Sequence, residues 1–308
     1  MKANIKRLLG WLAVLISLIF SCIWAVWGTI ENFHEGWYSL SLWENLFMFF
    51  FQYLLISLIL VIAAFLSLKW RIAGVISHLV LAGSCAWFFF GSHFSVIGLL
   101  IVIPLVGLGF LYYFGTPQPK KWAYLVLILI PSLIILALSI PQGIKIAQRV
   151  NDEDFGIRIV EGNGVSLAFA PRGPGWPDQG TAWEEAMEIV KYLAEDGLTL
   201  LETEQNIWRL PTVEEAVRSM MHHNVNAGGV YDSLTATAMY EFTPDKETPI
   251  WDPHSQVIYY WTSDTRQDDD RYAYIIVYHG GVFSKRKTDG QDYLSFRAVK
   301  SLEPSDSQ

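Results

Sequence analysis

Residues 122–156 read WAYLVLILIPSLIILALSI, then PQGIKIAQRV, then NDEDFG, and the change of character along this stretch decides the architecture. The first part, 122–140, carries no charge and is long enough to cross a hydrocarbon core, which needs about 20 apolar residues. The last part is crowded with acids. The chain has 22 Lys/Arg and 30 Asp/Glu, of which seven bases and three acids lie in residues 1–142. The remaining fifteen bases and twenty-seven acids lie beyond, so the two parts carry formal charges of +4 and −12. So sharp a break marks a domain boundary.

Toward the N-terminus, four more runs are long and apolar enough to cross a bilayer. With the first they give spans at about residues 8–30, 46–68, 72–90, 96–114 and 122–140. The third and fourth are joined by residues 91–95, where Gly91 and polar neighbours suit the turn of a hairpin. All seven bases (Lys2, Lys6, Arg7, Lys69, Arg71, Lys120 and Lys121) fall on one side of a five-span bundle, and Glu31, Glu35 and Glu44 fall on the other. The positive-inside rule puts the basic side and the N-terminus in the cytoplasm. An odd number of crossings then puts residues after 142 outside the cytoplasmic membrane. Lys145 and Arg149 count against this orientation, by two to seven. Trp37, Trp43, Trp70 and Trp122 lie near span ends, where interfacial anchors sit. Ile19-Phe20-Ser21-Cys22 loosely resembles a lipobox, but Phe20 fits poorly and Ile23-Trp24 continues the apolar run, so the first helix is expected to be retained.

Intramembrane charge usually marks an ion or proton path. No acid or base lies deep in these spans; His78 is the one titratable candidate and Gln52 the clearest polar one. A lone histidine is more often a helix-packing residue than a relay, and Pro104 and Pro131 are expected to kink their helices. The bundle therefore reads as an anchor embedded in the lipid bilayer.

Beyond it, residues 143–164 read as a polar connector, 165–302 as a folded domain and 303–308 as a tail. Val165-Ser-Leu-Ala-Phe169 has a strand pattern, and residues 171–180, rich in Pro and Gly, form a loop. Thr181 with Glu184, and Thr212 with Glu215, have the spacing of capping boxes and predict two helices. Gly197 suits the end of the first, and His222-His223-Asn224 the end of the second. Residues 226–254 form a long loop with aromatics, and 257–262, 272–278 and 294–300 read as strands. Two helices followed by strands make an α+β pattern.

Thr181-Ala-Trp-Glu-Glu-Ala186, Trp208-Arg-Leu-Pro-Thr212, Tyr260-Trp-Thr-Ser263 and Phe296-Arg-Ala-Val-Lys300 occur in an order that resembles the Lcl C-terminal domain family of bacteria. The resemblance covers residues 165–302. It implies a C-type-lectin-like fold, related to the formylglycine-generating (sulfatase-modifying) enzymes. Those enzymes work through a cysteine pair and copper. The only cysteines here, Cys22 and Cys85, lie in the apolar half, so that chemistry does not carry over. Read from the residues alone, Trp183 faces the core and Trp208, Arg209, Pro211 and Thr212 are scaffold: a core plug, a pairing arginine, a forced extended entry and a helix cap; the resemblance adds Phe296 and Arg297 as structural motif residues.

Candidate sites are few. Asp264, Asp268, Asp269 and Asp270 are the kind of ligand calcium takes, but their spacing matches no EF-hand loop. No cofactor is therefore expected, with calcium the one metal left open. His222, His223, His254 and His279 offer no metal spacing, and Ser255, His254 and Asp252 lack the sequence around a nucleophilic serine. The acidic balance argues against nucleic acid, and Lys285-Arg286-Lys287 reads as a solvated turn. What remains is a region in which aromatics mix with short polar groups: Asn226, Tyr231, Asp232, Tyr240, Trp251, Asp252, Trp261 and Asp264. Such surfaces stack on sugars or form protein interfaces. The sequence thus predicts an α-helical transmembrane bundle of about five spans followed by an α+β, C-type-lectin-like extracytoplasmic domain. That domain would bind a glycan, envelope polymer or protein without catalysis. The alternatives are a membrane-embedded envelope enzyme using Asp and His, or a transport or signalling bundle regulated by the domain.

Overall fold

The computed structural model describes residues 2–91 and 95–302. They form two compact units, one built from residues before Lys145 and one from Lys145 onward together with Tyr38–Leu40.

The first unit is helical. Its elements are α1 (Ala3–Glu31), α2 (Leu42–Met48), α3 (Leu55–Lys69), α4 (Arg71–Phe90), α5 (Val96–Phe114) and α6 (Lys120–Ala147). Among the described residues, four helices are long and apolar enough to cross a membrane, or five crossings if one bent pair counts as a single span. The bent pair corrects the expectation of an unbroken helix over 46–68. Leu42–Tyr53 and Leu55–Lys69 meet at 60°. The first ends in a π-helical turn, Phe49–Tyr53, and α1 also runs on into a π-helical turn, Asn32–Gly36. No proline marks this break. Pro104, Pro131 and Pro141 all lie inside continuous helices. Residues 92–94 of the expected hairpin lie outside the described residues. The helices they join do run antiparallel: Gly98 lies against Phe89 and Phe90, and Gly109 against Val75 and His78.

The second unit begins earlier than the sequence suggests. Within the supposed connector, β1 (Arg158–Gly162) pairs antiparallel with β2 (Val165–Phe169) across Gly162, Asn163 and Gly164, all at positive φ. An Asn-Gly pair between alternating residues is a strong hairpin signal; the neighbouring charges masked it. The last strand, β11 (Val299–Ser301), completes this three-stranded sheet on the other side of β2. A four-stranded sheet has the order β10 (Leu294–Ser295), β7 (Tyr259–Thr265), β8 (Tyr272–Val277), β9 (Val282–Arg286), parallel only between β10 and β7. Two small hairpins, β3 (Met221–His222) with β4 (Val225–Asn226) and β5 (Val230–Asp232) with β6 (Thr237–Met239), occupy the expected long loop. The tail, 303–308, lies outside the described residues.

The two helices of this unit differ in how they start. α8 (Val213–Ser219) has the full capping box: Glu215 N–H donates to Thr212 Oγ1, and Thr212 N–H to the Glu215 carboxylate. It ends at Ser219, three residues before the histidines. α7 (Trp183–Tyr192) has no side-chain cap. Thr181 is instead held by the core: its N–H donates to the Leu294 carbonyl, and its own carbonyl accepts Trp261 Nε1 at 2.8 Å. α7 stops well before Gly197, because Leu193 leaves the helix to form a bridge with Leu200.

The core is built by the motif residues. Trp208 is buried and donates Nε1 to the Ala194 carbonyl, and Trp183 donates to the Thr262 carbonyl. Arg209 makes a two-pronged pair with Glu215 at 2.6 Å, and its backbone bridges to Val299. The Pro211 carbonyl accepts Ser263 N–H, and Phe296 is fully buried beside α7. A Thr212→Ala protein should lose about 1 kcal/mol of stability. The check is the denaturation midpoint of the full-length protein in detergent; an unchanged midpoint would remove the capping box as a contributor.

Candidate functional site

The structure scatters the aromatic and polar residues that the sequence groups into one ligand region. Trp261 is fully buried and Trp251 nearly so, stacked on Tyr260 with ring centroids 3.9 Å apart. Neither offers a face to a ligand. Asp264 accepts Val213 N–H at 2.6 Å and so helps to start α8. Asp232 accepts Leu234 N–H and the Thr235 hydroxyl in the β5–β6 turn. Asn226 binds the Arg218 carbonyl and Gly228 N–H, and Tyr240 donates to the Gly280 carbonyl. Tyr231 is half-buried, packed on the core from β5.

The acids and histidines are similarly engaged. Asp268 pairs with Arg266 and Asp269 with Arg271. Among the described residues no group of three or more His, Cys, Asp or Glu is placed to hold a metal. Ser255 Oγ accepts Val257 N–H, and Asp252 accepts the backbone N–H of His254 at 2.8 Å, so these three residues form a turn.

Two of the expected residues do meet others, in a place the sequence hides. Asp252 accepts the Arg172 guanidinium, which also lies 3.5 Å from Asp178 and stacks 3.9 Å from the Phe155 ring centroid. Arg172 opens onto a shallow groove of about 300 Å³ lined also by Pro174, Pro177 and Gln179. Behind it, Arg297 is buried against the face of Trp176, 3.7 Å from its centroid, and Trp176 donates to the Tyr260 hydroxyl.

Next to this cluster, Asp245, Lys246, Glu247 and Thr248 are all buried. Arg149 donates twice to Asp245, at 3.1 and 2.9 Å. Glu247 accepts Val150 N–H at 3.0 Å and also the His223 N–H, and Thr248 N–H donates to the Val150 carbonyl. The Lys246 ammonium donates to the Ser255 carbonyl. Burial alone would raise the Asp245 carboxyl, but the charges of Arg149 and Lys145 and the Arg149 hydrogen bonds outweigh it and hold it low. Burial pushes Lys246 down to about 7; Arg149 adds to this and Asp252 and Asp245 oppose it. An Asp-Lys-Glu-Thr run reads as solvated surface, so nothing local in the sequence could have disclosed this knot.

The β5–β6 hairpin exposes several apolar side chains. Leu234 at its tip is 95% exposed, and the cross-strand pair Val230 and Met239 is 53% and 65% exposed. Tyr231 and Ala238, on the opposite face, pack on the core. Phe242 and Val225 nearby are also exposed.

Comparison with family models, curated proteins and solved structures returns no match.

Lys246 sets a pH dependence. An unfolded lysine keeps its proton up to its ordinary value of 10.5, whereas the folded one releases it near 7. Between those values the unfolded state binds more protons, so stability rises with pH. The melting temperature of the full-length protein should therefore climb from pH 7 to 9.5, and Lys246→Met should flatten the climb. A native profile that falls across this window would contradict the buried ammonium.

Proposed function

We propose that this chain is a multi-pass membrane protein of a bacterial envelope whose C-terminal domain is a recognition module that docks a protein partner. The observation that carries the reading is the β5–β6 hairpin. Its inner face is used by the core, and its outer face and tip present Val230, Leu234 and Met239 to solvent. Exposed apolar groups gathered on one element mark interaction sites, whereas single ones do not. A sugar would call for an open aromatic platform. Trp176, Trp208, Trp251 and Trp261 are all buried and the domain's exposed aromatics are the phenylalanines Phe242 and Phe283, which favours a protein over a glycan or envelope polymer.

The supporting reading of topology is that the bent pair is one crossing. Five crossings and a basic N-terminal side then leave the domain outside the cytoplasmic membrane. The ordered motifs ending in Phe296-Arg-Ala-Val-Lys300 support a C-type-lectin-like fold without the oxidative chemistry of its cysteine-bearing relatives.

A photo-crosslinking residue at Leu234 in the full-length protein should give a discrete adduct in cells, and one at exposed Glu188 should not. Met239→Asp should weaken the Leu234 adduct at least tenfold while the protein still accumulates. If no adduct forms at 234, the hairpin is not the docking surface. Protease added to intact cells tests the topology separately: it should remove the domain, and survival of the domain would reverse the orientation.

A further inference from the structure

One end of the helical unit carries an open crevice of about 960 Å³ that the hairpin reading leaves unused. Its walls come from three places in the chain. They are Lys6 in the first turn of α1, Lys69, Trp70 and Arg71 where α3 meets α4, and Tyr113 and Phe114 at the end of α5. Thr116 ties these places together. Its N–H donates to the Lys6 carbonyl at 2.8 Å, and its hydroxyl accepts Arg71 Nη2 at 2.8 Å. The Lys69 ammonium lies 4.3 Å from the Trp70 ring centroid. Three cations from separate segments therefore line one opening.

No carboxylate lines it with them. The acids of residues 1–142 are Glu31, Glu35 and Glu44, and Glu31 closes the far end of α1, about 37 Å from Lys6 along the helix. Like charges gathered without a counter-charge repel. Arg71 gives Thr116 one hydrogen bond, and a guanidinium has five N–H donors. A bias of bases toward one membrane side explains charge at this end. It does not explain the crevice, because Arg7 and Lys121 do not line it and Lys120 donates to the Leu68 carbonyl instead. Beside the cations the walls are exposed aromatics: Trp70 is 53% exposed, Tyr113 44% and Phe114 52%. Such residues sit at the headgroup level of a bilayer, and basic pockets between membrane helices hold anionic headgroups. Apolar walls beside cations suit an amphiphile; a free inorganic anion has nothing to place against them.

We propose that this crevice binds the phosphate headgroup of an anionic phospholipid. Lys6, Lys69 and Arg71 meet the phosphate, and Trp70, Tyr113 and Phe114 meet the glycerol and the first acyl carbons. The site lies wholly in the helical unit. It rests on the reading of this chain as a membrane protein, and on neither the hairpin nor the orientation.

The test is native mass spectrometry of the purified full-length protein in detergent, titrated with dioctanoylphosphatidylglycerol or dioctanoylphosphatidylcholine. The anionic lipid should bind at least tenfold tighter. Lys6→Gln/Lys69→Gln leaves the Thr116 bonds in place and should weaken the anionic lipid about 25-fold, at about fivefold per cation. Should that variant fail to accumulate, Lys69→Gln alone carries the test with a fivefold loss. Arg7→Gln/Lys121→Gln removes equal charge from the same end outside the crevice and should change binding less than twofold. Equal affinity for the two lipids would overturn the proposal, as would an equal loss in the two double variants, which marks general surface attraction. Displacement of the lipid by inorganic phosphate or glycerol 3-phosphate at the lipid's own affinity would assign the crevice to a soluble phosphate and overturn the lipid. Carbonate extraction of cell membranes tests the membrane reading apart from this: the chain should stay in the pellet. A pelleted chain without lipid preference sinks the crevice alone.

Discussion

The Arg297 guanidinium lies inside the C-terminal domain with its hydrogen bonds directed to main-chain carbonyls. Nε donates to Ala170 at 2.8 Å, and Nη1 to Pro249 at 2.5 Å and Ile250 at 2.8 Å. The ring of Trp176 covers its face. Taking a charge out of water costs several kcal/mol, and the cost is offset only when hydrogen bonds and geometry are good. Three carbonyls and a cation–π contact supply most of that offset, while Nη2 is buried without a partner. Burial pushes its pKa down to about 9, so it stays charged at neutral pH. The consequence is architectural. Ala170 follows β2, Pro249 and Ile250 belong to the long loop, and Arg297 sits just before β11. One side chain therefore ties three distant segments together. Fixing 249–250 in turn fixes Asp252 against Arg172 and the buried run 245–248 against Arg149 and Val150.

In the helical unit the ordering constraint is different, because helices apolar enough to cross a membrane leave buried polar groups no water to bond. Most hydroxyls answer it locally. Ser21 donates to the Ser17 carbonyl, Thr29 to Ala25, Ser67 to Ala63, and Ser57 across to Ser21 on α1. His78 lies 2.8 Å from the Gly74 carbonyl and 3.4 Å from Ser67 Oγ. These are packing bonds, each satisfied within a turn or by the neighbouring helix, and they leave His78 a structural residue. Gln52, the polar residue that stands out in the sequence, is exposed on the outside of its turn. Among the described residues Asn32 and Ser139 Oγ are exceptions, and Asn32 lies in the π-helical turn that follows α1.

How much was legible follows the range of the interaction. The Thr212 box was readable because cap, acid and helix lie within four residues. The Thr181 box had the same spacing, yet no cap formed, because Leu294 and Trp261 bind the Thr181 backbone from far along the chain. The α4 and α5 limits came from uninterrupted apolar runs. The break at Leu54 did not, because what accompanies it is Gly28 and Gly36 on another helix. The β1–β2 turn carries its own Asn-Gly signal, set among acids that read as a solvated connector. Clustering Trp251 and Trp261 with a surface failed because an aromatic's burial depends on what packs over it, not on its neighbours in sequence.

The acidic excess of the C-terminal domain has a structural explanation that bears on partners. Many of its bases are committed inward or sideways: Arg149 and Lys246 in the buried knot, Arg297 in its carbonyl cage, Arg209 on Glu215, Arg218 on Glu214. The basic run 285–287, expected to be a solvated turn, instead lies at and beyond the end of β9. There Arg286 Nε donates to the Tyr272 hydroxyl, and Lys285 and Lys287 lie 5.9 and 4.4 Å from the rings of Tyr259 and Trp183. A phosphate polymer needs several free cations on one face. Here the cations bind the protein's own carboxylates, carbonyls and rings, while unpaired acids face outward. The charge left facing outward is therefore acidic and disfavours contact with other anionic surfaces.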